Sequence, residues 1–174
     1  MHLRTATEAD IDALDRLIRR AMAQLLDPVL SPDQVKASYA VMGLDRQLVA
    51  DGTYVVVEDG RRLVGCGGWS DRATLYGGDH SAGRDARRLD PAHDPARIRA
   101  MYTDPDHSRR GIGRLVLGEC ERRARAAGFA RTQLMATLAG EPLYLACGYR
   151  EVERVVDMVD GVGVPLIRME RALP

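Results

Sequence analysis

Residues 107–113 read His107-Ser108-Arg109-Arg110-Gly111-Ile112-Gly113, and an amphipathic helical pattern begins at Ile112. Two glycines at a helix start leave backbone N–H groups open to a ligand, and the aligned peptide dipoles favour an anion there. Two arginines add positive charge. The stretch is expected to hold phosphate, and its flanks decide which fold presents it.

Upstream lies a strand candidate, Arg97 to Thr103, ended by Asp104-Pro105. Downstream, Ile112, Leu115, Val116, Cys120, Ala124 and Ala127 fall on one helix face. Glu119–Arg123 and Glu121–Arg125 are spaced as i,i+4 pairs, and Gly128 is the stop signal. A strand over Thr132–Ala136 follows, then a short helix from Pro142 to Cys147 closed by Gly148. Tyr149–Val156 and Val164–Arg171 read as two last strands joined around Asp160-Gly161.

Towards the N-terminus, His2–Thr5 is a short strand candidate, and Thr7 with Asp10 marks a helix start. Ile11, Leu14, Ile18, Met22 and Leu25 form one apolar stripe, ended by Pro28. Ser31-Pro32-Asp33-Gln34 opens a second, short helix running to about Tyr39 or beyond. Tyr54–Glu58 and Arg62–Trp69 form a hairpin about Asp59-Gly60. Gly65, Gly67 and Gly68 mark a bulge or the close approach of a ligand. Residues 71–96, rich in Gly, Pro, Asp and Arg, read as a long surface loop. The order β-α-α-β-β-β-α-β-α-β-β predicts an α/β (α+β mixed) domain with mostly sequential strand neighbours.

The chain of 174 residues is long enough for a single domain, taken as 1–174. Its 45% apolar and 29% charged residues are ordinary for a globular protein. Zero net charge argues against a nucleic-acid partner. No apolar run reaches the ~20 residues of a membrane span, and no signal-peptide h-region opens the chain. Three widely spaced cysteines, Cys66, Cys120 and Cys147, suit neither a disulfide framework nor a zinc site. A cytoplasmic location and no metal are expected.

Three phosphate-binding motifs compete for residues 107–113. A Walker A loop needs Gly-x-x-x-x-Gly-Lys-Ser/Thr, which does not occur. A dinucleotide fingerprint needs a third small residue where Val116 stands. The third fits: strand, polar loop, Arg-Arg-Gly-Ile-Gly-Arg and long helix resemble the GCN5-related N-acetyltransferase (GNAT) superfamily. Its acyl-CoA motif, Gln/Arg-x-x-Gly-x-Gly/Ala, is matched at Gly111 and Gly113, with Ser108 at the first position. A second signature, Tyr-x-x-x-Gly-Phe/Tyr, is matched by Tyr144-Leu145-Ala146-Cys147-Gly148-Tyr149. The resemblance covers nearly the whole chain, from Thr5 through the C-terminal hairpin.

The resemblance implies a mixed, mostly antiparallel sheet of about six or seven strands flanked by about four helices. It implies transfer of an acetyl group from acetyl-CoA, a co-substrate, by direct attack of an amine on a small molecule or peptide. The backbone N–H groups of Arg109, Arg110, Gly111, Ile112, Gly113 and Arg114 would bind the pyrophosphate. Met101, Tyr102 and Thr103 would pair with the pantetheine arm, and the N–H of Met101 or Tyr102 would polarise the thioester carbonyl. Tyr144 matches the family's general acid. The general base stays open among Asp71, Glu141, His80, His93, His107 and water. Acceptor specificity is expected from residues 25–45 and 69–96, with Tyr39, Trp69, Arg72 and Tyr76 as lining candidates. The alternative is a non-catalytic acyl-CoA-binding or sensor module of the same fold. Val155, Val156, Met158 and Val159 in the last hairpin make a homodimer plausible.

Overall fold

The run Tyr54-Val55-Val56-Val57 becomes a fully covered strand one place in from the edge of the sheet. In the computed structural model, which describes residues 1–174, Tyr54, Val55, Val56 and Val57 are all fully buried. A strand covered on both faces reads as a continuous apolar run. It forms β2 (Tyr54–Asp59), paired antiparallel with β3 (Arg62–Ser70). β1 (His2–Thr5) flanks β2 on the outside. On the other side follow β4 (Ala96–Thr103), β5 (Arg131–Thr137), β7 (Val162–Ala172) and the edge strand β6 (Arg150–Val159). Only β4 and β5 are parallel.

Helices cover both faces. α1 (Ile11–Leu25) and the short α3 (Arg46–Ala50) pack on one face with Leu14, Ile18, Met22 and Leu48. α2 (Pro32–Val41) packs Ala37 and Val41 against Val164 and Leu166 of β7. α4 (Ile112–Ala126) and α5 (Glu141–Ala146) cover the opposite face through Ile112, Val116, Leu117, Cys120 and Tyr144. No helix is long and apolar enough to cross a membrane.

Both predicted helix starts form. Thr7 and Asp10 exchange bonds at a 3-10 turn, Glu8–Asp10, leading into α1. Arg4 grips Asp10 with two bonds of 2.8 Å and holds its carboxyl down to about 2. Ser31 Oγ accepts from the Gln34 N–H, and Gln34 Oε1 accepts from the Ser31 N–H.

Several expectations are corrected. α3, absent from the sequence reading, forms because Asp45 caps the Gln47 N–H at 3.1 Å. On α4, Leu115 faces solvent while Leu117 is buried, and Ala127 lies exposed just past the helix end. Glu119 pairs with Arg123 as expected, but Glu121 accepts from Arg171 of β7 rather than Arg125. Residues 71–96 are not a free surface loop. They fold back on themselves through Ala73 N–H to Arg87 O, Thr74 N–H to Asp85 O and Leu89 N–H to Asp71 O, burying Thr74 and Leu89.

The glycines of β3 serve helix packing. A Cβ at Gly65 would collide with Ile112 of α4, and one at Gly67 with Met101 and, at 2.7 Å, Val116 Cγ1. Their absence lets α4 lie close on the sheet. Gly67→Val is therefore expected to destabilise by about 1–3 kcal/mol through overpacking. Chemical denaturation should show a lower midpoint at an unchanged slope.

Candidate active site

β4 and β5 pair at only two positions, Ala96–Thr132 and Arg97–Gln133, whereas β5 pairs with β7 along its whole length. Beyond them the two parallel strands part. β4 also carries a bulge: Cys66 faces Tyr102 while Gly68 faces Arg99, so β4 holds one extra residue there. Ala100, at φ 50°, absorbs it. A non-glycine residue in this region is strained, and such strain gathers at functional sites. The bulge sends Met101 towards α4, while Ala100 and Tyr102 pack on the α1 face. A cavity of about 710 Å³ opens at the parting, with Met101, Tyr102 and Thr103 in its wall.

The loop after β4 frames the cavity's mouth. Asp104, almost fully buried, accepts from Arg20 of α1 at 3.1 Å and from Arg62 at 2.6 Å. Its other oxygen caps the Asp106 N–H, opening a 3-10 turn at Pro105–His107. Ser108 donates its hydroxyl back to the Pro105 carbonyl at 2.8 Å. Arg109 and Gly111 then turn left-handed, at φ 62° and 82°. From Arg109 to Arg114, six consecutive N–H groups donate to no acceptor in the protein. The first turn of a helix leaves such donors open, and here no side chain caps them. No acidic residue lies in that turn.

The two motif glycines do different work. A Cβ at Gly111 would meet nothing within 4 Å, so the loop borders open space there, and the positive φ explains the residue. A Cβ at Gly113 would lie 2.8 Å from Leu143 Cδ2. Gly113 thus lets α5 approach the start of α4, which brings Tyr144 beside the loop. Arg109 and Arg114 line the cavity. The Arg110 side chain turns away, 3.9 Å from Asp59.

Tyr144 lines the same cavity, its ring edge-on to Tyr149 at 5.7 Å. Burial raises its pKa well above that of a free phenol, so the proton stays on. Burial also pushes the Cys66 thiol up to about 12 and raises that of Cys120. Neither is an activated nucleophile.

Much of the cavity wall is apolar, with Met22, Leu25, Val41, Leu75, Met135 and Leu166 among its lining residues. Its charged lining residues are arginines alone: Arg99, Arg109 and Arg114. None of the acids and histidines considered as base lines it. Asp71 pairs with Arg88, and Glu141 with Arg154 at 2.6 Å. His93 pairs with Asp90, His80 meets the Tyr39 carbonyl, and His107 sits between Asp59 and Asp104. Of the acceptor candidates, Tyr76 lines the cavity and donates to Asp157 at 2.8 Å. Trp69 packs on Phe129, Arg72 is locked onto Asp51, and Tyr39 borders a separate, smaller pocket. Arg99 and its partner Asp45 escaped the sequence reading. The available signal was an arginine at 99, between Ile98 and the bulge, in a strand expected to be buried.

The family model for the acetyltransferase (GNAT) family matches residues 19–149. No curated protein matches the chain closely enough to serve as a relative. Among solved structures, a GCN5-related N-acetyltransferase from Rhodopseudomonas palustris superposes with a TM-score of 0.73 at 18% identity, covering 99% of this chain and 95% of that one. yncA from Salmonella typhimurium, solved with its cofactor acetyl-CoA, gives 0.64 at 20% identity over 99% and 94%. The paia N-acetyltransferase from Thermoplasma acidophilum, in complex with coenzyme A, gives 0.64 at 15% over 98% of each chain. At these identities the likeness concerns the fold.

Proposed function

The chain belongs to the GNAT family of acetyltransferases, and on that premise we propose that it moves an acetyl group from acetyl-CoA to the amine of a small molecule or peptide by direct attack. The observation that carries this reading is the run of six unpartnered N–H groups at Arg109–Arg114, aimed from a left-handed turn and a helix start. Such an array suits a pyrophosphate, as does the positive charge of Arg109 and Arg114 beside it. Acetyl-CoA supplies the activated acyl thioester.

The remaining roles fall to groups in the same cavity. The parted β4 offers backbone at Met101–Thr103 to the amide-bearing pantetheine arm. The N–H of Met101 or Tyr102 stabilises the negative charge that develops on the carbonyl oxygen. The amine nitrogen bonds to the acetyl carbon as the carbon–sulfur bond breaks, and Tyr144 gives its proton to the departing thiolate. The amine's surplus proton leaves through water and restores the phenol. No carboxylate or imidazole lines the cavity. The acceptor therefore reacts from its neutral form.

The test is a mass-resolved assay with acetyl-CoA and a panel of amines. The reading requires CoA release matched one-to-one by N-acetylated product. CoA release without product, or none across the panel, contradicts it. Gly111→Val forces an L-residue into a left-handed conformation at a cost of about 1–2 kcal/mol and re-aims the amides. Acetyl-CoA affinity should fall by about tenfold, which calorimetry would read.

A further inference from the structure

Arg99 is the only charged residue lining the cavity away from the Arg109–Arg114 loop. Its side chain is 2% exposed. Asp45, fully buried, lies 2.6 Å from its Nη1, and Nη2 donates to the Gly77 carbonyl. Its Nε is buried with no hydrogen-bond partner. Asp45 is shared with a second guanidinium, that of Arg84, at 2.9 Å. Arg84 also donates to the Gly78 carbonyl at 3.0 Å. The other titratable groups near Arg99, Tyr54 and Tyr102, are phenols whose pKa values burial raises, so they stay neutral. One carboxylate thus faces two guanidiniums, leaving one positive charge in excess in the wall of a mostly apolar cavity.

A desolvated guanidinium with one unpartnered donor, Nε, is a strong site for an anion such as a carboxylate. The surroundings fit an apolar body beside that carboxylate. We propose that Arg99 binds the carboxylate of the acceptor, which is an amino acid or a similar amine with an apolar side chain and a free acid group. Asp45 and Arg84 are positioning residues: Asp45 fixes the Arg99 guanidinium, and Arg84 holds Asp45 and ties down Gly78, next to the cavity-lining Gly77. The assignment rests on the acetyl-transfer reading and adds the acceptor's chemical class to it.

The test supplies leucine, methionine and phenylalanine, each as free acid and as carboxamide, with saturating acetyl-CoA. Mass spectrometry gives kcat/KM for product formation. Calorimetry in parallel measures binding of the N-acetylated acids and amides to the CoA-loaded protein. Charge-assisted hydrogen bonds predict that acids exceed amides by about 10- to 100-fold in kcat/KM or Kd. Arg99→Gln should collapse that ratio towards one, whereas mere structural damage would lower both members and keep the ratio. Amides equal to acids in the unaltered protein, no binding of either, or a ratio that survives Arg99→Gln overturns the assignment. The two readings fail separately. Absence of CoA binding removes the acetyl-transfer reading, whereas CoA binding with acetylation indifferent to the acid removes only the role of Arg99.

Discussion

Replacing Tyr144 with Phe should lower kcat by at least about 100-fold, the lower end for a positioned general acid. The substitution removes one oxygen and keeps the ring on Tyr149. The Tyr144 hydroxyl has no hydrogen-bond partner within the protein, so its loss leaves no orphaned group behind. Thermal stability should therefore stay within about 0.5 kcal/mol, as for substitutions that break nothing. The raised pKa sets the pH behaviour. A phenol held above its ordinary value near 10 stays protonated through neutral and mildly alkaline pH. The wild-type kcat should then show no alkaline fall from Tyr144 below about pH 10. Steady-state kinetics of both proteins across pH check this, and an unchanged kcat in Tyr144→Phe would remove the general-acid role.

Asp45→Ala should be the most destabilising single truncation around the cavity. Asp45 is the only counter-charge to Arg99, itself 2% exposed, and to Arg84, 24% exposed. Removing one partner of a buried pair leaves an uncompensated charge, at about 3–5 kcal/mol. In a domain of this size that lowers Tm by on the order of 10 °C. The variant also loses the cap on α3. Arg99→Gln should cost much less, because Asp45 keeps Arg84 as its partner. Thermal unfolding of the two variants side by side reads the asymmetry. Equal losses would mean that Asp45 does not balance both guanidiniums.

The sequence was most legible where local chemistry and tertiary packing agree. The caps at Thr7 and Ser31, the Asp59-Gly60 turn and the Val55–Val57 run all form as their residues require. The open amides at the start of α4 were legible for the same reason: Gly111 and those N–H groups lie close together in the chain. The Arg99 cluster was not, because its parts meet only in three dimensions. Arg99, Asp45 and Arg84 come from β4, the cap of α3 and the 71–96 segment. Arg72 illustrates the difficulty from the other side. It stood out as a loop arginine, yet it is bound by Asp51, a residue 21 positions away. The β3 glycines read as a bulge or the close approach of a ligand; the ladder to β4 is irregular between Cys66 and Gly68, and the approach of Ile112, Met101 and Val116 explains Gly65 and Gly67.

The Arg109–Arg114 amides are proposed to bind the pyrophosphate of CoA. Calorimetric titration of this chain with CoA, and with pantetheine lacking the pyrophosphate, tests it most directly. Binding of one CoA per chain is predicted, with pantetheine at least about 100-fold weaker, since charge-assisted bonds to such donors contribute about 1.5–3 kcal/mol each. No heat of binding at millimolar CoA, or pantetheine binding as tightly as CoA, would contradict it.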